Sequence, residues 1–168
     1  SHSDILAQAD GSFQGLQHPR FRQNTGRDDG PAVSMYRAMF MNKPARRGTV
    51  FPYHQDDGTQ WRLDRDPVMT VWTALDDATI AKGCIQVIPG SQKLGLFSEH
   101  GHTITPEQEA EHARDEDSVY LEARAGEAIL LHNLMLHRSG GNTQDEPRRA
   151  FSVCYMDAET RLMTAGRA

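Results

Sequence analysis

The sequence predicts an all-β domain of about eight short strands with one helical insertion. Runs rich in β-branched and aromatic residues alternate between apolar and polar positions, and glycine and proline clusters separate them. Only one segment carries clear helix-start signals. Many short strands joined by Gly/Pro turns favour two packed antiparallel sheets. We therefore predict a double-stranded β-helix, a cupin-like jelly roll, with a few peripheral helices.

The length of the chain suits one domain. With 168 residues it is expected to bury about two thirds of its unfolded surface, which is enough for an independent core. We predict a single domain over residues 1–168. Within it, residues 1–31 carry Gly, Gln, Asp and Arg without periodicity, which predicts an N-terminal extension of coil with at most one short helix.

Charge and cysteine content restrict the partners and the compartment. The net charge is −5 and the pI is near 5.9, so no basic face is expected for nucleic acid. No apolar run reaches the about 18 residues of a membrane span, and the N-terminus lacks a signal-peptide pattern. Cys84 and Cys154 lie in separate apolar runs, which predicts buried free thiols. We expect a cytoplasmic protein that acts on a small molecule.

The first predicted strand covers residues 32–42 and ends before Pro44, since the residue preceding a proline marks a boundary. The segment after it is basic and contains Lys43, Arg46 and Arg47. We predict that these charges lie in a solvated loop, with the attraction of an anionic substrate as the alternative.

Later elements follow from the same patterns. Strands are predicted at residues 68–75, 83–89, 118–122, 128–132, 134–137 and 148–156. Thr105, Pro106 and Gln108 form an N-cap, first-turn proline and capping-box pattern, which predicts a helix over 106–113. This helix belongs to an insertion over 94–117 that could serve as a substrate lid.

Two histidines and one aspartate are the candidate metal ligands. His54 and Asp56 are two residues apart, so both side chains of an extended strand point to the same face. His137 follows a later apolar run. Two imidazoles and one carboxylate are the set that holds non-haem Fe(II) on one triangular face. A second His-x-Asp pattern, His2 with Asp4, lies at a chain end that is expected to fray.

The chain after His137 suits the binding of a carboxylate. His137 and Ser139 share one face of a strand, a Gly-Gly-Asn turn follows, and Arg148 returns on the neighbouring strand. A guanidinium binds a carboxylate through two hydrogen bonds, and a serine hydroxyl can add a third. Arg149 is the rival for this role, but it points to the opposite face from Arg148.

These patterns resemble the phytanoyl-CoA dioxygenase family of Fe(II)/2-oxoglutarate-dependent oxygenases over about residues 36–155. The resemblance rests on four ordered blocks: HQD at 54–56, TVWTALDD at 70–77, GCIQVIPGS at 83–91, and H-x-S at 137–139 followed by Arg148. In this family the last metal ligand is followed by serine two residues later and by arginine eleven residues later. Among the eight histidines, only His137 has both companions.

The resemblance implies Fe(II) as cofactor, with 2-oxoglutarate and O2 as co-substrates. The implied metal ligands are His54, Asp56 and His137. The residues implied to contact 2-oxoglutarate are Arg148, Ser139, Trp72 and Gln55. Trp72 could equally be a core residue. Related proteins also carry a longer helical N-terminal region, so we expect residues 1–31 to be an incomplete extension.

The implied reaction is hydroxylation of an unactivated C–H bond with release of succinate and CO2. Halogenating relatives replace the metal-binding carboxylate by a small residue, so the presence of Asp56 favours hydroxylation. Two alternatives remain open: a cupin-like metal enzyme that does not use 2-oxoglutarate, and a non-catalytic jelly-roll binding protein. His132 is an alternative ligand to His137, but it lacks the serine and arginine companions.

Overall fold

Two antiparallel sheets form the structure, a computed structural model that describes the backbone of residues 6–8 and residues 33–58, 61–67, 69–97 and 103–163. The described residues contain nine strands: β1 (Leu6–Gln8), β2 (Val33–Lys43), β3 (Phe51–His54), β4 (Met69–Ala74), β5 (Ile85–Val87), β6 (Val119–Leu121), β7 (Glu127–His132), β8 (His137–Ser139) and β9 (Arg148–Asp157). Helix α1 spans Pro106–His112, and short 3-10 helices cover Ile80–Lys82, Ser91–Leu94 and Asp115–Asp117.

The strand order confirms the predicted jelly roll. One sheet has the order β1-β7-β4-β9-β2 and the other β3-β8-β5-β6, and every paired strand is antiparallel. The main core lies between the sheets, where Trp72, Ile129 and Leu131 of the first pack with Ile85 and Val87 of the second. Both sheets therefore contribute one apolar face, as the alternating sequence pattern requires.

Strands β2 and β9 form the longest pair and position much of the site. Strand β2 stops directly before Pro44, as predicted, but it includes Lys43, which the sequence analysis put in the loop after the strand. The register shifts between Met35 and Arg37, which explains the loose alternation of apolar residues in this segment. Beyond the shift, Arg37, Met39 and Met41 line the cavity described below, and Lys43 is buried.

The helix is found where the capping pattern predicts it. The Gln108 backbone N–H donates to Thr105 Oγ1 at 3.3 Å, and the Thr105 N–H donates to Gln108 Oε1 at 2.9 Å. The side chain of Gln108 also donates to the Phe97 carbonyl at 3.0 Å, which connects α1 to the segment before it.

No helix within the described ranges has the length and apolar character needed to cross a bilayer.

Two predicted segments have a different secondary structure. Residues 6–8 form an edge strand against β7 rather than coil, because pairing with a distant strand orders a segment that has no periodicity of its own; residues 9–31 of the predicted extension lie outside the described part. The predicted strand over 134–137 is instead a turn closed by Met135 N–H to His132 O at 2.8 Å, followed by β8. Leu136, which lies between that turn and β8, is fully buried, so its apolar character reflects burial rather than membership of a strand.

Candidate metal and co-substrate site

The three predicted metal ligands converge in space. The donor atoms of His54, Asp56 and His137 all lie within 4.8 Å of one another. His54 ends β3 and pairs in register with His137, the first residue of β8, so both rings point to the same face and their centroids are 4.1 Å apart. Asp56 follows two residues after His54, and its Oδ2 lies 4.0 Å from His137 Nε2.

Backbone carbonyls orient both imidazoles. Nδ1 of His54 lies 2.8 Å from the Pro52 carbonyl oxygen, and Nδ1 of His137 lies 2.9 Å from that of Met135. A carbonyl oxygen only accepts, so Nδ1 is the donor in each of these contacts, which leaves Nε2 as the ring nitrogen that can bind a metal ion. This is the arrangement by which proteins present neutral histidine to a metal ion. Two Nε2 atoms and a carboxylate therefore fit Fe(II), and His54, Asp56 and His137 would hold it.

A cavity of about 320 Å³ opens from these ligands into the space between the sheets. Its lining includes the three ligands together with Ser139, Trp72 and Arg148. The volume lies at the lower end of the range for small-molecule sites, about 300–1,000 Å³. The cavity thus places a set of metal donors and a buried cation on the walls of the same space.

Arg148 is the buried cation of this cavity. It is only 2% exposed and donates one hydrogen bond, from Nη2 to the Gly83 carbonyl at 3.0 Å, while its Nε has no hydrogen-bond partner among the described residues. Its guanidinium lies 5.2 Å from the Trp72 ring centroid. Burial lowers the pKa of Arg148 to about 10. A buried cation with an unused donor is suited to a ligand carboxylate.

Gly83 allows its carbonyl to reach Arg148. Its φ is +71°, and a Cβ at this position would lie 2.3 Å from the Gly140 oxygen. Only glycine combines this backbone conformation with so close an approach.

Comparison with known proteins identifies the family. The family model for phytanoyl-CoA dioxygenase (PhyH) matches residues 8–150. The chain belongs to the phytanoyl-CoA dioxygenase family. It is 32% identical over 130 residues to phytanoyl-CoA dioxygenase from Arabidopsis thaliana, covering 76% of this chain and 45% of that protein. It is 27% identical over 143 residues to the peroxisomal phytanoyl-CoA dioxygenase of Homo sapiens, covering 77% and 41%.

Solved structures of non-haem oxygenases share this fold. Apo ThoJ, a non-haem monooxygenase, has a TM-score of 0.73 and 27% identity, covering 92% of this chain and 57% of ThoJ. SnoK, a non-haem α-ketoglutarate-dependent carbocyclase from nogalamycin biosynthesis, has a TM-score of 0.66 and 25% identity, covering 78% of this chain and 52% of SnoK.

The family assignment confirms the predicted cofactor class, Fe(II) with 2-oxoglutarate and O2. The chain spans less than half the length of the curated relatives named above.

Gln55 is expected from the resemblance to contact 2-oxoglutarate, but its side chain lies away from the cavity. It is 1% exposed and does not line the cavity. Its side-chain amide donates to the carbonyls of Gly95 and Leu134 and accepts from the Phe97 N–H at 2.8 Å. Strand alternation turns Gln55 away from the face that carries His54, so its side chain joins neighbouring loops instead.

The rival residues also lie away from the ligand cluster. Arg149 is at the surface, where Asp76 accepts from its Nη2 at 2.7 Å, and this contact lowers the pKa of Asp76 to about 2. His132 accepts a hydrogen bond at Nδ1 from the Leu134 N–H at 3.1 Å, and burial lowers its pKa. Neither lines the cavity. His2 and Asp4 lie outside the described residues.

Sequence reasoning missed a role for Arg37. Its Nη2 lies 3.4 Å from Asp56 Oδ1, and its guanidinium lies 5.0 Å from the Trp61 ring centroid. The Asp56 N–H also donates to the Asn133 carbonyl at 2.9 Å. Arg37 thus engages one carboxylate oxygen of Asp56, while the other faces His137. The signal available in the sequence was the alternation that puts Arg37 on the same face as Met39 and Met41.

The contact between Arg37 and Asp56 predicts a measurable effect on metal binding. Arg37→Met should weaken Fe(II) affinity by about 10-fold to 100-fold, the range seen when groups that orient metal ligands are removed. Arg37→Lys should recover part of this loss. Anaerobic equilibrium titration with Fe(II) measures both. Arg65→Met is the matched control, because Arg65 pairs with Asp157 and Glu159 at the surface. Equal affinity in Arg37→Met and Arg65→Met would contradict the assignment.

Proposed function

We propose that this protein is an Fe(II)- and 2-oxoglutarate-dependent dioxygenase that hydroxylates an unactivated C–H bond of a small organic substrate, with release of succinate and CO2. The observation that carries the proposal is that His54, Asp56 and His137 line the same cavity as the buried Arg148. The metal donors suit a non-haem iron site, and the arginine suits the far carboxylate of a dicarboxylic oxo acid.

Each residue then has a defined task. His54, Asp56 and His137 hold the metal through two Nε2 atoms and one carboxylate oxygen. Arg148 binds the distal carboxylate of 2-oxoglutarate, Ser139 donates its hydroxyl to the same carboxylate, and Trp72 covers the guanidinium. When bound, iron supplies the activation of O2 and the oxidative decarboxylation of the co-substrate. A substrate and co-substrate that fill the cavity would displace water from the reacting groups.

Asp56 supports hydroxylation over halogenation, because a carboxylate occupies the position that a halide would need.

Thr103, from the insertion over 94–117, lines the cavity, which supports the proposal that this insertion covers the substrate. The single-domain assignment and the cytoplasmic location stay predictions.

Anaerobic titration tests the proposal. The protein should bind one equivalent of Fe(II), and 2-oxoglutarate should then produce a visible charge-transfer band that the metal alone does not give. Succinate release screened against classes of small molecules should identify substrates, and mass spectrometry of the product should show the added oxygen. Failure to take up metal would favour a jelly-roll binding protein. Metal uptake without 2-oxoglutarate binding would favour a cupin-like enzyme of another kind.

A further inference from the structure

Lys43 is a second buried cation beside Arg148. It is 4% exposed, although it begins a segment that the sequence predicts as a solvated loop. Lys43 ends β2, and its register partner on β9 is Arg148. Register partners on antiparallel strands point to the same face of a sheet, so the ammonium and the guanidinium both enter the interior between the sheets.

The described residues provide no carboxylate for either cation. The ammonium of Lys43 donates to the Thr49 carbonyl, and the guanidinium of Arg148 donates to the Gly83 carbonyl. Burial and the charge of Arg148 lower the pKa of Lys43 to about 8. Two neighbouring buried charges of the same sign are unfavourable until an anion joins them.

The cavity is where such an anion can lie. Lys43 Nζ lies 5.1 Å from the ring centroid of Phe51, and both Phe51 and Arg148 line the cavity. A carboxylate bound to Arg148 would therefore lie in the field of a second cation, within a poorly solvated interior where that field is strong. A ligand without a distal carboxylate would gain nothing from it.

We propose that Lys43 is a specificity-determining residue of the co-substrate site, which with Arg148 selects a 2-oxo acid with two carboxylates over one with a single carboxylate. This inference rests on the proposed function. It assigns Lys43 an electrostatic role, while Arg148 makes the direct contact. The competing explanation is purely structural: Lys43 holds the loop after β2 through Thr49, and Asn142 Nδ2 donates to the Lys43 carbonyl at 3.2 Å.

Two ligands and two variants separate these roles. The wild type, Lys43→Met and Lys82→Met are loaded with Fe(II) without oxygen and titrated with 2-oxoglutarate and with 2-oxopentanoate, in which a methyl group replaces the distal carboxylate. Lys82 is the matched control, because its ammonium already has a carboxylate partner: it lies 2.7 Å from Glu146, a residue of the turn before β9. Thermal unfolding and Fe(II) affinity are measured for each protein.

Lys43→Met should weaken 2-oxoglutarate binding by about 10-fold, roughly the loss of one favourable charge interaction. Binding of 2-oxopentanoate, Fe(II) affinity and the unfolding temperature should stay unchanged, as should every property of Lys82→Met. An equal loss for both oxo acids, or no loss for either, would overturn the role of Lys43 and leave the proposed function intact. A wild type that takes up Fe(II) but binds no 2-oxoglutarate would overturn both.

Discussion

Replacing His137 by alanine is expected to weaken Fe(II) binding by at least about 100-fold and to reduce succinate formation to background. The reason is that only His54 and Asp56 would remain as donors, and removing groups that merely orient metal ligands already costs about 10-fold to 100-fold. The lost ring faces an open cavity rather than packed core, so the unfolding temperature should change little. Anaerobic Fe(II) titration and a succinate assay measure the two effects.

His112→Ala is the matched control for this experiment. His112 lies in α1, where its ring packs against Phe97 with centroids 4.9 Å apart and its Nε2 lies 3.6 Å from Glu111 Oε1. Metal affinity and succinate formation should remain at the wild-type level in this variant. Added imidazole should restore part of the metal affinity of His137→Ala, because the cavity gives it access to the vacated position. If His137→Ala bound Fe(II) with wild-type affinity in the absence of imidazole, His137 would not be a metal ligand.

Replacing Arg148 by methionine is expected to weaken 2-oxoglutarate binding by about 30-fold or more while Fe(II) affinity is retained. Removing one partner of a buried charge pair costs about 2–5 kcal/mol, and each 1.4 kcal/mol corresponds to a factor of ten. The variant should not unfold, because methionine replaces a buried charge that has no carboxylate partner among the described residues. Titration of the Fe(II)-loaded protein with 2-oxoglutarate measures the effect.

Arg149→Met provides the control from the adjacent position. Arg149 points to the other face of β9, and its ion pair with Asp76 lies at the surface, where such pairs contribute little to stability. In this variant 2-oxoglutarate affinity should be unchanged, and the pKa of Asp76 should rise from about 2 towards its ordinary value. Similar losses of 2-oxoglutarate binding in both variants would contradict the assignment of Arg148, which was chosen because it follows His137 by eleven residues.

Much of the site could be predicted because it depends on local geometry. Alternation along a strand puts His54 and Asp56 on one face whatever the rest of the chain does. The same alternation separates Arg148 from Arg149, and the capping pattern locates helix α1 by bonds within a few residues. Both free cysteines are buried as predicted, because long apolar runs are almost always interior.

Other features depend on contacts between distant segments. Trp72 is both a core residue and part of the cavity wall, so the two roles weighed for it from the sequence are not exclusive. Gln55 could not be excluded from the site until the loops containing Gly95 and Leu134 were placed around it. The position of Arg37 against Asp56 likewise needs the sheet that contains β2 to face the sheet that contains β3.

The sequence by itself predicted the jelly-roll class, the three residues whose donor atoms converge and the arginine that lines the same cavity, since backbone periodicity and residue chemistry act over a few positions. Only the tertiary structure decided that Lys43 is buried beside Arg148. A lysine before a proline has every local mark of an exposed loop, and its burial comes from two long-range contacts: the pairing of β2 with β9, and the packing of Gly48 against Asn142, where a Cβ would lie 2.5 Å from the Asn142 nitrogen. Burial is a property of the segments that surround a residue, and these segments are far apart in the chain.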